Sequence, residues 1–361
     1  MKALLITHHW KPYTNHSVSS GYERLVWYLA KELDINVLTW KKRGDVIAED
    51  MQEPFSVIRV TTPASDIFLE RRLIMSWQAM QMAESYNVVH ALYSIPALFP
   101  SRRHPTVATV HVLPEVKSGL WMRYHGFIQK RLFKQVSHVI TVSTNLRDLL
   151  IDRYGLDRVT YIPHGVDVHV FKPNIIDASE MRSRLLGEHF HLIALVVGAH
   201  GLDSTLIRNL AREHTDILFV MVNRYIPSRL SGERKDIMTD LPNVKFMYNV
   251  SEEDMIAIYE SADLFFRPLQ FATANNAVLE AMAMAKPILV HKLPGVTDYV
   301  DSSTAYLAES DEDFYVQFRH AVDHPEERQQ KGRKARERAE QEFAWEHVAR
   351  RTLEIYTAVD R

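Results

Sequence analysis

Short apolar runs alternate along this chain with segments of helical period, and that alternation constrains the fold more than any single motif. Residues 3–7 read as a strand, followed by a loop and a helix over 21–33. The next apolar runs, 36–40, 56–60, 88–91, 106–111, 138–142 and 159–162, are interleaved with helical patterns over 73–85, 120–135 and 146–154. Strands that alternate with helices predict a parallel sheet covered by helices, the doubly wound α/β arrangement. Pro173 and a polar stretch interrupt the pattern, a short helix follows near 178–186, and a second cycle starts at Leu192. That cycle has strands at 192–197, 217–222, 244–247, 264–266 and 287–291, with helices at 204–214, 252–261 and 276–284. Two Rossmann-like halves joined near residue 174 are therefore expected.

The length of 361 residues agrees with two domains. A hydrophobic fraction of 46% suffices for two packed cores, which rules out disorder. With no cysteine, thiolate zinc sites, iron–sulfur clusters and a cysteine nucleophile are excluded. The apolar start at Ala3–Thr7 is ended by His8, His9, Trp10 and Lys11, too soon for a signal peptide, and no run of ~20 apolar residues occurs. A cytoplasmic chain is expected. Residues 1–174 hold 21 Lys+Arg against 15 Asp+Glu, a net of +6, whereas residues 175–361 are acidic. The first half therefore suits an anionic partner, such as the inner face of a membrane or a phosphorylated acceptor. Nucleic acid does not fit, because the basic residues do not alternate with aromatics in one tract.

In open α/β sheets, ligands bind beyond the carboxyl ends of the strands, so a cleft between the two halves is the expected site. Four loops there carry chemistry. Ser20 and Gly21 open a helix where free N–H groups attract phosphate, although a plain serine cap explains them equally. His90, His111 and His164 all follow strands of the first half. They lack the spacing of a helical zinc site, so no metal is expected. The turn Ile162-Pro163-His164-Gly165-Val166-Asp167 ends the first half. In the second half, Asn275 or Asn276 caps a helix whose first amides, near Asn276 and Ala277, face a phosphate. Glu280 lies one turn in, placed to accept hydrogen bonds from a ribose.

Taken in order, these residues resemble the GT-B glycosyltransferases, most closely the family-4 type that uses nucleotide-sugar donors. The resemblance rests on the Ser20-Gly21 loop, Val89-His90-Ala91, Val110-His111, Val139-Ile140-Thr141-Val142-Ser143, Pro163-His164-Gly165-Val166-Asp167, residues 241–268, Leu279-Glu280-Ala281-Met282-Ala283 and Phe343-Ala344-Trp345-Glu346. It implies an acceptor domain over 1–173 and a nucleotide-sugar domain over 174–344. A helix over 345–361 is implied to cross back to the first domain. It also implies a metal-independent, retaining transfer to a glycan or glycolipid, with no cofactor. Glu280 would hold the ribose, Asn276 and Ala277 the phosphates, and His111 the donor sugar or leaving-group side.

The chain departs from that family at three places. Where the family has a first glutamate, eight positions before Glu280, this chain has Ala272. The glycine usual before the Lys-Pro step is Ala285. The basic diphosphate clamp after the first strand of the second domain is absent. Arg224, Arg267 and His200 are its candidate replacements, because a diphosphate must be offset by donors or cations. The Gly198–Ser204 segment instead looks like a GT-B branch with some inverting members. An inverting enzyme needs a general base, for which His111 and Glu115 are the candidates. The rival readings are a catalytically silent subunit that binds a partner, and another GT-B enzyme such as a nucleotide-sugar epimerase or a phosphorylase.

Overall fold

The computed structural model describes residues 1–7, 21–42, 54–62, 68–93, 95–111, 120–198, 201–223, 240–272 and 274–360. Ser20, Glu115, His200 and Arg224 lie outside the described residues. The chain forms two compact units, residues 1–164 with 345–361, and residues 165–344. The division falls between His164 and Gly165, earlier than the join near 174 that the sequence suggested. The cause is local. Val166 donates its N–H to the Phe343 carbonyl at 2.8 Å and pairs with Ala344, while Phe171 is buried in the core of the second unit.

The first unit is built on seven parallel strands, β1 (Lys2–Ile6), β2 (Asp34–Lys42), β3 (Ser56–Thr62), β4 (Val88–Ala91), β5 (Thr106–Val110), β6 (His138–Thr141) and β7 (Val159–Tyr161). Their order is β3-β2-β1-β4-β5-β6-β7. A parallel sheet is covered on both faces, so its central strands read as unbroken apolar runs. Alternate residues sort the two faces. Ala3, Leu5, Val88, Val107 and Ile140 pack with Val26 and Leu29 of α1 (Gly21–Ala30) and with Trp345, Val348 and Tyr356 of α11 (Trp345–Val359). Leu4, Ile6, Val89, Ala108 and Val139 face α2 (Phe68–Met82), α3 (Leu120–Gln135) and α4 (Thr144–Tyr154). Ser143 caps α4 by accepting from the Leu146 N–H, and Gly155 closes it at φ 64°, a left-handed turn suited to glycine.

The second unit holds six parallel strands, β8 (Leu192–Val197), β9 (Ile217–Asn223), β10 (Val244–Tyr248), β11 (Leu264–Arg267), β12 (Ile288–His291) and β13 (Tyr306–Ala308), in the order β10-β9-β8-β11-β12-β13. Helices α5 (Ser179–Leu186), α6 (Ser204–Glu213), α7 (Glu252–Ser261) and α8 (Asn276–Ala283) occupy the expected positions. β13, α9 (Asp311–Asp323) and α10 (Pro325–Arg338) were not anticipated, although the signals are present. Ser310 caps α9 ahead of Asp311, Glu312 and Asp313, and Pro325 opens α10. Helix α10 presses on the end of α8 so closely that Gly332 lies against the Ala285 backbone. Ala285 itself sits at φ 53°.

Both sheets have a point where the strand order reverses. In the first unit it lies between β1 and β4, in the second between β8 and β11. The carboxyl ends of those strands are where such sheets bind ligands.

Candidate active site

In the second unit, Arg267 ends β11 at the reversal point and is 5% exposed. Its guanidinium donates to the Val197 carbonyl, the last residue of β8. Space for it exists because the next residue is Gly198, where a Cβ would stand 3.1 Å from the Arg267 Nη1. Burial lowers the Arg267 pKa to about 10, opposed by the charges of Tyr259 and Glu280, so it remains a cation at neutral pH. Its fork is therefore engaged beneath the strand ends rather than displayed as an exposed diphosphate clamp.

Glu280, half-buried on α8, accepts a hydrogen bond from the Tyr259 hydroxyl at 3.0 Å. The same hydroxyl lies 3.3 Å from the Ala277 carbonyl. Tyr259 is fully buried and was not singled out by sequence reasoning. It lies on the apolar face of α7, where a tyrosine carries no distinguishing signal. The cap of α8 is Asn275, whose side chain accepts from the Val278 N–H at 3.3 Å. This settles the choice between Asn275 and Asn276, and leaves Asn276 and Ala277 as the first helical residues. The structure thus brings Arg267, Glu280, Asn276 and Ala277 to one end of the second sheet.

The loop after β11 is braced by a histidine. His291 ends β12, accepts from the Leu269 N–H at 3.0 Å through Nδ1 and lies 3.1 Å from Asp311 through Nε2. Burial lowers its pKa, which favours the neutral ring that can accept from Leu269. Asp203 accepts from Gln270 at 3.1 Å and caps α6.

In the first unit, His111 follows β5. Its Nε2 lies 3.0 Å from the Leu92 carbonyl, its Nδ1 3.2 Å from the His164 Nε2, and its ring 5.3 Å from Tyr93. Two residues earlier on the same strand face, Thr109 lies 2.7 Å from the His90 Nε2, and His90 Nδ1 lies 2.6 Å from the Tyr356 hydroxyl of α11. Desolvation lowers the His90 pKa to about 3, so it is a neutral packing histidine. Both pairs frame a cavity of about 30 Å³, room for one or two waters. Trp345 also lines it, and its buried indole N–H has no hydrogen-bond partner among the described residues. Gly21 starts α1. Among the described residues no group of three or more His, Asp or Glu is placed to hold a metal ion.

Comparison with known proteins agrees with this architecture. Residues 19–170 match the family model described as Glycosyltransferase Family 4, and residues 206–354 match one described as Glycosyl transferase-like. An MMP alpha-(1->4)-mannosyltransferase from Mycolicibacterium hassiacum is 26% identical over 276 residues, covering 70% of this chain and 65% of that protein. The match thus spans just under two thirds of that relative's length. Sucrose-phosphate synthase from Thermosynechococcus elongatus has the same fold, with a TM-score of 0.80 at 18% identity over 99% of this chain and 98% of that one. Anabaena HepE, solved in complex with UDP, gives a TM-score of 0.80 at 17% identity over 99% of this chain and 100% of its own. Residues 19–170 and 206–354 thus each carry a glycosyltransferase family model, and the whole chain has the GT-B fold.

Proposed function

We propose that this protein transfers a sugar from a nucleotide-diphosphate donor to a glycan or glycolipid acceptor, with retention and without an essential metal ion. The observation that carries the reading is the assembly of Glu280, the first amides of α8 and the buried Arg267 cation at the reversal point of the second sheet. A carboxylate suits ribose hydroxyls, and helix amides beside a fixed cation suit a diphosphate. UDP bound to a protein of the same fold supports that class of donor. Arg267 offsets diphosphate charge through space, since its fork holds Val197. His111 serves the transferred sugar, and the acceptor belongs to the first unit, near Gly21. His200, Arg224, Ser20 and Glu115 keep their proposed roles as residues outside the described set.

Replacing Glu280 tests the donor assignment. Glu280→Ala should weaken nucleotide binding by ~1.5–3 kcal/mol, the worth of a charged hydrogen-bonded contact. The helix should persist, because alanine is the best helix former. Calorimetry with a nucleoside diphosphate reads the difference, and an unchanged affinity would leave Glu280 a structural residue that accepts from Tyr259.

The acceptor reading extends to an anionic lipid surface. In the described part of α3, Phe127 is 63% exposed, and Lys130, Arg131 and Lys134 are exposed as well. The spacing puts these four on one helix face, while Gln129, Leu132 and Phe133 are buried. Each basic residue near an anionic surface contributes about 1 kcal/mol and is screened by salt. Co-sedimentation with phosphatidylglycerol vesicles should therefore exceed that with neutral vesicles and fall in high salt. Equal binding to both would remove the lipid surface from the reading.

A further inference from the structure

We infer that His164 is a positioning residue for His111, holding its ring in one orientation by donating to its Nδ1. The inference rests on the proposed role of His111 beside the transferred sugar. It starts from what a carbonyl can do. The Leu92 oxygen accepts only, so the His111 Nε2 at 3.0 Å carries a hydrogen. In the neutral ring Nδ1 is then a lone pair. His164 Nε2 faces that lone pair at 3.2 Å, and its N–H is the donor. The two rings meet edge to face, with centroids 5.3 Å apart and planes inclined at 72°. His111 is thus gripped from both sides, by a β4-end carbonyl and by a β7-end imidazole.

The backbone behind each grip is firm. Leu92 is fully buried, and its N–H donates to the Ile6 carbonyl at 2.9 Å. His164 follows Ile162 and Pro163, both buried, and Ile162 donates to the Thr141 carbonyl at 2.9 Å. Proline removes one backbone freedom just before the histidine. His164 is also the last residue of the first unit before the chain enters the second, and Trp345, where the chain returns, lines the same cavity as the histidine pair. A group held within tenths of an ångström by its neighbours acts on substrate more effectively than a free one, and a 1 Å misplacement can cost ~100-fold.

The variants follow from amide geometry. A glutamine places its amide N–H₂ close to where an imidazole Nε2–H stands, whereas an asparagine places it near the Nδ1 position. His164→Gln should therefore keep the donor to His111, and His164→Asn and His164→Ala should lose it. The decisive readout is the ¹⁵N spectrum of histidine-labelled full-length protein, with the His111 signal assigned by its disappearance in His111→Gln. Wild type and His164→Gln should show the His111 Nδ1 shifted upfield as a hydrogen-bonded acceptor, and His164→Asn and His164→Ala should show it moved downfield toward a free imine nitrogen. The same His111 signature in all forms would overturn the inference. Turnover adds a second arm with nucleotide-sugar donors. His164→Ala should lower kcat at least ~10-fold with donor KM within about twofold, and His164→Gln should restore most of it. Full kcat in His164→Ala would also overturn the inference. Full kcat in His111→Gln would instead remove the role of His111, and the spectra would still decide whether His164 sets the ring.

Discussion

Gly332→Ala is expected to destabilise the second unit by about 3 kcal/mol, the upper end of overpacking costs. A Cβ built at Gly332 would stand 2.2 Å from the Ala285 carbonyl oxygen and 3.0 Å from its carbon. Those atoms are backbone, so no side chain can swing aside. Nor can the Ala285 segment shift cheaply. Ala285 already sits at φ 53°, and the neighbouring Ala283 carbonyl is gripped by Arg336 at 2.6 Å. Arg336 also holds the Phe171 and Val168 carbonyls, so displacing α10 would loosen three attachments together. Gly155→Ala is the control. It meets nothing within 4 Å and faces only the left-handed penalty at φ 64°, about 1 kcal/mol. Thermal melts of both variants should rank Gly332→Ala well below Gly155→Ala; the reverse order would mean that the α8–α10 contact yields.

Acid should destabilise the first unit through His90. Its folded pKa of about 3 lies below the ordinary 6.5 because the ring is buried. The unfolded chain therefore takes up a proton that the folded chain refuses. The stability is fully present above pH 6.5 and is lost as pH falls toward 3, at about 1.4 kcal/mol per pH unit and roughly 5 kcal/mol in all. Protonation would also put a hydrogen on whichever ring nitrogen accepts from Tyr356 or Thr109. Urea unfolding of wild type and His90→Asn between pH 6.5 and 5 reads this directly. The wild-type midpoint should fall more steeply, and parallel profiles would assign the acid sensitivity to other groups.

Much of the fold was legible because a parallel sheet buried on both faces writes its strands as continuous apolar runs. β8, apolar from Leu192 to Val197, is of that kind. β13 and α9 were missed because three residues are too few for a strand pattern and because the cap at Ser310 follows no marked apolar run. The histidines were visible as residues after strands, but their pairing was not. Nothing in the spacing of His111 and His164, 53 positions apart, brings two rings to 3.2 Å. It follows from β5 and β7 flanking β6 in the sheet. Arg267 was named for its place after a strand, yet its inward turn toward Val197 depends on Gly198, a contact between strands that only the sheet order creates. Tyr259 and Tyr356 carry no signal at all, since a buried tyrosine hydroxyl looks in sequence like one more core aromatic.

The most direct measurement of the central claim is nucleoside-diphosphate release by the full chain from a panel of nucleotide-diphosphate sugars, with candidate glycan and glycolipid acceptors and EDTA throughout. Release from at least one donor in EDTA, lost in Glu280→Ala while the variant stays folded, is the predicted result. Nucleotide binding without release from any donor would favour the silent-subunit reading, to which Ala272 in place of a glutamate lends weight. Release that appears only when a divalent metal is added, or no binding of any nucleotide, would contradict the account.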